Sequence, residues 1–149
     1  MKKTVIVIVG PTAVGKTKLS IDIAKRYHGA IISGDSMQVY KGLDIGTAKI
    51  TEEEMQGIPH YMIDIKEPCE PFSVADFKQY VQTYIDQITM DGQIPIIVGG
   101  SGLYIQAALY NYNFAESRRD EAFTTKLQSI IDSDGIDPLY QRLKQIDPE

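Results

Sequence analysis

Apolar positions in the first hundred residues alternate between two spacings, which predicts strands that alternate with helices. Thr4–Val9 is β-branched and apolar on both faces and stops at Gly10, as is typical of a central strand in a parallel sheet. Ala30–Ser33 and Ile94–Val98 are further short apolar runs that end at glycine, and Tyr61–Ile65 is predicted as another strand.

Helical spacing separates these strands. Within Lys16–Tyr27, apolar side chains recur every four residues, and Gly29 ends the run. Ser73 and Asp76 form a capping-box pattern that predicts the start of a second helix, which ends near Gly92. A third helix is predicted from the glycines after residue 98 to about residue 110. The order of elements predicts an α/β fold with a doubly wound parallel sheet.

The pattern changes after about Phe114. Arg118–Asp132 and Pro138–Gln145 are charged amphipathic segments with no strand between them. We therefore predict two parts: residues 1–113 form an incomplete α/β core, and residues 114–149 form the first part of a helical insertion. No closing strand follows, so we expect the sequence to be truncated.

The composition narrows the class of protein. The 149 residues can bury one core, and 43% hydrophobic with 23% charged residues is ordinary for a soluble globular protein. Val5–Val9, the longest apolar stretch, is too short to span a membrane, and the single Cys69 cannot form an intramolecular disulfide. We expect a cytoplasmic protein. A net charge of −5 argues against broad nucleic-acid binding by this chain alone.

The most informative local motif is a phosphate-binding loop. Residues 10–17, Gly10-Pro11-Thr12-Ala13-Val14-Gly15-Lys16-Thr17, match G-x-x-x-x-G-K-[ST] between a predicted strand and a predicted helix. The glycines let backbone N–H groups point at an anion, and the helix adds the positive end of its dipole. Lys16 supplies a cation for the terminal phosphate, and the Thr17 hydroxyl is a ligand for Mg²⁺. The motif does not identify the reaction, because kinases, hydrolases and some transferases share it.

Candidate carboxylates follow the strands. Nucleotide-hydrolysing proteins with this loop usually place an acid after a later central strand, but Ile94–Val98 ends in Gly99 and Gly100. Asp64 fits that role only if Tyr61–Ile65 is central. Asp35 follows the second strand at the carboxyl edge of the sheet, where ligands bind. It suits either a turn residue or a general base.

Five ordered blocks together resemble a known family. They are GPTAVGKT at 10–17, ISGDSMQVYKGLDIGTAK at 32–49, GIPHYMIDI at 57–65, FSVADF at 72–77 and IPIIVGGSGLYI at 94–105. The sequence resembles the tRNA dimethylallyltransferases, also called tRNA isopentenyltransferases, over essentially all of its length. The resemblance implies a P-loop NTPase-like fold. It also implies transfer of a dimethylallyl group from dimethylallyl diphosphate to the exocyclic amine of the adenine next to the anticodon.

The resemblance also implies roles for individual residues. It makes Gly10 and Thr12–Thr17 the diphosphate cradle, in which Lys16 stabilises the departing pyrophosphate and Thr17 helps to place Mg²⁺. Asp35 would accept the amine proton, and Ser101 would lie close to the nucleophile and the leaving group. The residues expected to line the pocket for the flipped-out adenine are Ser36, Met37 and Gln38. The implied partners are tRNA and dimethylallyl diphosphate, with no membrane and no obligate protein partner.

Some features depart from the family's pattern and leave alternatives open. An arginine expected near Thr124 is absent, and Arg118 and Arg119 are not obvious equivalents. One alternative is a small-molecule or nucleotide kinase, in which the loop holds ATP and Asp35 activates a hydroxyl. Another is a binding module that holds phosphate without catalysing a reaction.

Overall fold

The computed structural model describes residues 3–110 and 120–148. The chain divides into two compact units, residues 1–113 and 114–149. The assignment of these units as an incomplete α/β core and the first part of a helical insertion stays a prediction.

The first unit is built on a four-stranded, fully parallel sheet with strand order β1-β4-β2-β3. In chain order its elements are β1 (Ile6–Val9), α1 (Lys16–Tyr27), β2 (Gly29–Ser33), α2 (Glu52–Met55), β3 (His60–Tyr61), α3 (Val74–Met90), β4 (Ile94–Gly99) and α4 (Gly102–Leu109). The predicted α/β class and parallel sheet are confirmed.

Helices cover both faces of this sheet, so the predicted doubly wound arrangement is also confirmed. On one face, Ile21 of α1 packs against Ile31 and Ile96 of the strands. On the other face, α3 and α4 pack against the strand residues Ile32 and Ile97. Alternate strand residues therefore enter two separate cores, as the pleat of a strand requires.

The position of the first strand differs from the prediction. β1 starts at Ile6 rather than Thr4, and it lies at one end of the strand order among the described residues. The central strands are β4 and β2, whose side chains are mostly buried. The predicted central position is therefore not seen among the described residues, because apolar residues on both sides of a strand report that helices cover both faces. They do not report that both edges are paired.

The third strand is shorter than predicted. It comprises His60–Tyr61 instead of Tyr61–Ile65. Met62 and Asp64 adopt left-handed φ angles of 65° and 54°, so the chain leaves the extended conformation there. Met62 is nevertheless fully buried. The apolar character of this segment therefore reflects packing in the core, not strand pairing.

The predicted helix limits hold in this unit. α1 has the predicted bounds, and α3 follows a complete capping box formed by Ser73 and Asp76. The fully covered face of α3 comprises Phe77, Val81, Ile85 and Ile88. No helix among the described residues is long and apolar enough to cross a membrane.

The second unit contains α5 (Glu121–Asp134) and α6 (Asp137–Ile146), the two helices that the sequence predicts. Arg118 and Arg119, at the predicted start of the first of them, lie outside the described residues. Neither helix contains a fully buried residue, and Phe123 and Tyr140 are more than half exposed.

Candidate active site

The carboxyl ends of β1, β2 and β4 approach one another closely at one edge of the sheet. The N–H of Gly34, after β2, donates to the carbonyl of Val98 in β4 at 2.7 Å. A Cβ on Gly99 would lie 2.8 Å from the backbone of Gly34, and a Cβ on Gly100 would lie 3.3 Å from the carbonyl of Gly10. There is no room for a side chain at residue 99. This close approach explains why the central strand ends in glycine and not in a carboxylate.

A cavity of about 760 Å³ opens at this carboxyl edge of the sheet. Its lining combines the phosphate loop with residues from the ends of the other strands. Its lining residues are Gly10, Pro11, Thr12, Ala13, Gly15, Lys16, Thr17, Ser20, Ile31, Ser33, Asp35, Gln38, Thr47, Ala48, Ile50, His60, Ile63, Val98, Gly99, Gly100 and Ser101. Ligands of open parallel sheets bind at this edge, so the cavity is the candidate active site.

The phosphate loop has the geometry of an anion cradle. Ala13 and Gly15 adopt left-handed φ angles of 65° and 89°, which curl the backbone around the space in front of α1. No side chain caps the N-terminus of α1, so its first N–H groups remain available to a ligand. The Lys16 ammonium donates to the carbonyl of Pro11 at 2.5 Å and lies within the loop.

Most of the predicted diphosphate-binding residues line the cavity, but Val14 does not. Val14 is 59% exposed. Because its side chain is apolar, Val14 can offer only its backbone N–H to a phosphate. The cavity also brings together Lys16, Thr17, Asp35 and Ser101, the four residues expected to take part in the reaction. Their individual roles remain predictions.

Asp35 is both a turn residue and a cavity residue. Its Oδ1 accepts a hydrogen bond from the N–H of Met37 at 2.8 Å, and its own N–H donates to the Ser33 hydroxyl at 3.3 Å. The bond from the Met37 N–H holds the side chain, and the second carboxylate oxygen has no hydrogen bond within the described part of the chain. The two interpretations of Asp35 are therefore compatible: the turn fixes the carboxylate and leaves one oxygen free to accept a proton.

The three residues predicted to contact adenine have different positions. Gln38 lines the cavity, whereas Ser36 and Met37 do not, and Met37 is 47% exposed. The Gln38 amide is engaged at both ends, because its oxygen accepts from Ser33 Oγ at 2.8 Å and its nitrogen donates to the Thr47 carbonyl at 3.0 Å. Gln38 therefore braces the loop that follows Asp35.

His60 is a cavity residue that the sequence analysis did not single out. It lies opposite Ile31 in the pairing of β2 with β3. Its Nδ1 is 2.8 Å from the carbonyl of Ile58, a distance that assigns the proton to Nδ1 and leaves Nε2 as an acceptor. Burial lowers the pKa of His60, and the hydrogen bond to Ile58 opposes this only in part. Residues on a two-residue strand carry no strong pattern, so only the fold identifies this one.

Asp64 does not occupy a metal-binding position. The strand that was predicted to include Asp64 ends at Tyr61. The Asp64 carboxylate lies 2.5 Å from the Lys49 ammonium, and Asp64 does not line the cavity. Among residues 3–110 and 120–148, no three His, Cys, Asp or Glu side chains form a group that could hold a metal ion. Mg²⁺ needs only one or two protein oxygens when phosphate and water supply the remainder. The Thr17 hydroxyl fits that requirement.

Comparison with known proteins identifies the family. A family model described as IPP transferase matches residues 38–149, which is most of the chain. The chain belongs to the IPP transferase family. It is 64% identical over 148 residues to the tRNA dimethylallyltransferase of Oceanobacillus iheyensis and 56% identical over 148 residues to that of Geobacillus kaustophilus. Each match covers 99% of this chain and 47% of the relative.

Solved structures from the family have the same fold. The tRNA isopentenylpyrophosphate transferase of Bacillus halodurans is 51% identical, with a TM-score of 0.76, and the match covers 99% of this chain and 49% of that one. A eukaryotic dimethylallyltransferase acting on tRNA is 37% identical, with a TM-score of 0.83, and here the coverage is 99% and 36%. The chain spans about half the length of the curated relatives it matches.

Proposed function

We propose that the complete protein transfers a dimethylallyl group from dimethylallyl diphosphate to the exocyclic amine of the adenine adjacent to the anticodon of tRNA. We also propose that it does so in the cytoplasm. The observation that carries the proposal is the shared cavity: an anion-binding loop and a fixed carboxylate face the same space. Relatives that are more than 50% identical are named tRNA dimethylallyltransferases.

The phosphate loop accounts for the leaving group. The diphosphate would lie against the uncapped N-terminus of α1, where N–H groups and the Lys16 ammonium offset its negative charge. These donors interact most strongly with the charge that builds up as the carbon–oxygen bond breaks, which makes pyrophosphate a better leaving group. Thr17 would hold Mg²⁺, which supplies further positive charge to the phosphate oxygens when bound.

Asp35 accounts for the nucleophile. The adenine amine attacks the allylic carbon as the bond from that carbon to the diphosphate oxygen breaks with both electrons. The amine then carries a surplus proton, which the free oxygen of Asp35 accepts. Because an anticodon base is normally stacked, the adenine has to leave the stack to enter the cavity.

The test is a prenyl-transfer assay with the complete protein, labelled dimethylallyl diphosphate and unmodified tRNA. We expect Asp35→Ala and Asp35→Asn each to lose about 10²-fold in turnover, as is usual for a general base. Asparagine keeps an oxygen for the Met37 N–H, so its loss isolates proton acceptance from the turn. Asp22→Ala, which changes an exposed carboxylate of α1, is the matched control.

Three outcomes decide between the alternatives. Wild-type turnover in Asp35→Asn would exclude Asp35 as the base. ATP-dependent phosphorylation without prenyl transfer would favour the kinase. Calorimetric binding of diphosphate with no turnover on any tRNA would favour the binding module.

A further inference from the structure

Lys49 is a buried lysine beside the candidate active site. Its side chain is only 5% exposed, although it lies at the end of a loop whose other residues are mostly exposed. Burial of an ammonium group removes its hydration and requires compensating partners. The contacts of Lys49 show which groups compensate for the lost hydration.

Three oxygen atoms surround the ammonium group, two from the preceding loop and one from the segment after β3. The Tyr40 carbonyl and a carboxylate oxygen of Asp44 each lie 2.8 Å from it, and a carboxylate oxygen of Asp64 lies at 2.5 Å. A lysine ammonium has three N–H donors, so this arrangement can satisfy all of them. Burial lowers the pKa of Lys49, but the hydrogen bonds and charges of Asp44 and Asp64 outweigh that effect and raise it overall. The group remains protonated at neutral pH.

The segments joined by Lys49 form one wall of the cavity. Thr47, Ala48 and Ile50 flank the lysine and line the cavity, as does Ile63 beside Asp64. Lys49 itself does not line the cavity. Any effect of Lys49 on a ligand is therefore indirect, through the residues that line the cavity.

Hydrophobic packing does little to fix residues 41–46 of this loop, although Ile50 after the loop packs against the core of Ile21, Ile31 and Ile96. Residues 41–46 are all exposed, and Ile45 is 97% exposed. Gly42 and Ala48 adopt left-handed φ angles of 74° and 47°. With no apolar anchor in 41–46, the loop depends on polar contacts, and the buried ammonium supplies the largest group of them.

We propose that Lys49 is a positioning residue that fixes the loop at residues 41–49, with its cavity-lining residues Thr47 and Ala48, and thereby the nucleic-acid side of the reaction. The assignment to the nucleic-acid side rests on the proposed function, because that function places the diphosphate against the opposite loop. The fixing of the wall does not depend on that function. The phosphate loop has its own local hydrogen bonds, so loss of Lys49 should leave it unchanged.

The experiment compares Lys49→Met with Lys49→Arg in the complete protein. We expect amide exchange in residues 41–49 to accelerate by about 10-fold or more in the methionine variant, with no change in residues 10–17. In the transfer assay, KM for tRNA should rise and kcat should fall, each by about 10-fold, while KM for the diphosphate stays constant. Arginine retains the charge, so Lys49→Arg should show near wild-type amide exchange and near wild-type kinetic constants.

Lys41→Met is the matched control. Lys41 belongs to the same loop, but it pairs with Glu67 at 2.6 Å and both side chains are 54% exposed. An exposed pair contributes little order. We therefore expect neither amide exchange in residues 41–49 nor the two KM values to change.

Each result decides the question. Unchanged exchange in residues 41–49 of Lys49→Met would overturn the proposal, as would an equal rise of both KM values or a failure of arginine to rescue. If the wild type shows no prenyl transfer, the proposed function fails, but the exchange experiment still decides whether Lys49 fixes the wall. If Lys49→Met does not fold, Asp64→Asn, which keeps the left-handed backbone accessible, should show a smaller acceleration of about 3-fold. No acceleration there would overturn the proposal.

Discussion

The two walls of the cavity are built by different means. The phosphate loop is one continuous segment, residues 10–17, and local features shape it: two left-handed residues, the start of α1 and the bond from Lys16 to Pro11. The opposite wall is held by contacts between residues that are not neighbours in sequence; it comprises Asp35, Gln38, Thr47, Ala48, Ile50, His60 and Ile63.

This difference predicts how each wall responds to mutation. Changes in the phosphate loop should act on ligand charge or on local backbone energy. Changes in the opposite wall should act through the position of a segment, because single side chains such as Gln38 and Lys49 connect its parts.

Replacement of the loop cation should have the largest effect. Lys16→Ala removes the ammonium group that offsets the charge of the departing pyrophosphate, so kcat should fall by about 10²–10³-fold, as for other transition-state donors. Steady-state kinetics with both substrates saturating measure this. Lys18→Ala, an exposed lysine on the same helix, should behave as wild type. A fall of less than about 5-fold in Lys16→Ala would show that the backbone alone stabilises the leaving group.

A side chain at residue 99 should disturb the point where the walls meet. The Cβ of Gly99→Ala would lie 2.8 Å from the backbone of Gly34, so the two strand ends must move apart. We expect the free energy of unfolding to fall by about 1–3 kcal/mol in urea titrations, the usual cost of overpacking. Gly102→Ala is the control, because a Cβ there meets nothing within 4 Å. Equal stability of the two variants would contradict the close approach.

Gly15→Ala should have a smaller and purely local cost. A Cβ at residue 15 meets nothing within 4 Å, but φ is +89°, so only backbone strain opposes alanine. Unfolding titrations should show a loss of about 1–2 kcal/mol. Gly46→Ala provides the comparison in the other wall, since that glycine has neither a positive φ nor a near neighbour. A loss in Gly46→Ala as large as that in Gly15→Ala would argue against local strain.

The pH dependence of stability should report the burial of His60 and is the smallest effect. Because folding lowers its pKa below the usual value of about 6.5, the unfolded chain binds the proton more readily. Stability contributed by neutral His60 is therefore complete above pH ~6.5 and is lost as the pH falls below that value. His60→Gln should flatten the fall in unfolding free energy between about pH 7 and 5, whereas His28→Asn, at an exposed helix cap, should not. An unchanged slope in His60→Gln would mean that other groups cause the dependence.

The sequence by itself determined those features that depend on consecutive residues. The phosphate loop, the bounds of α1, the capping box of α3 and the alternation of strands with helices all follow from local backbone preferences and hydrophobic spacing. The position of Asp35 after β2 also followed, because the carboxyl ends of parallel strands share one edge of the sheet.

Only the tertiary structure decided which residues face the cavity. It left Ser36 and Met37 out of the lining, added His60 and Ile63, and placed β1 at one end of the strand order among the described residues. These outcomes depend on how closely segments far apart in sequence approach one another, as at Gly34 and Gly99. Local propensity carries no information about such distances, because packing and long-range polar contacts set them after the elements have formed.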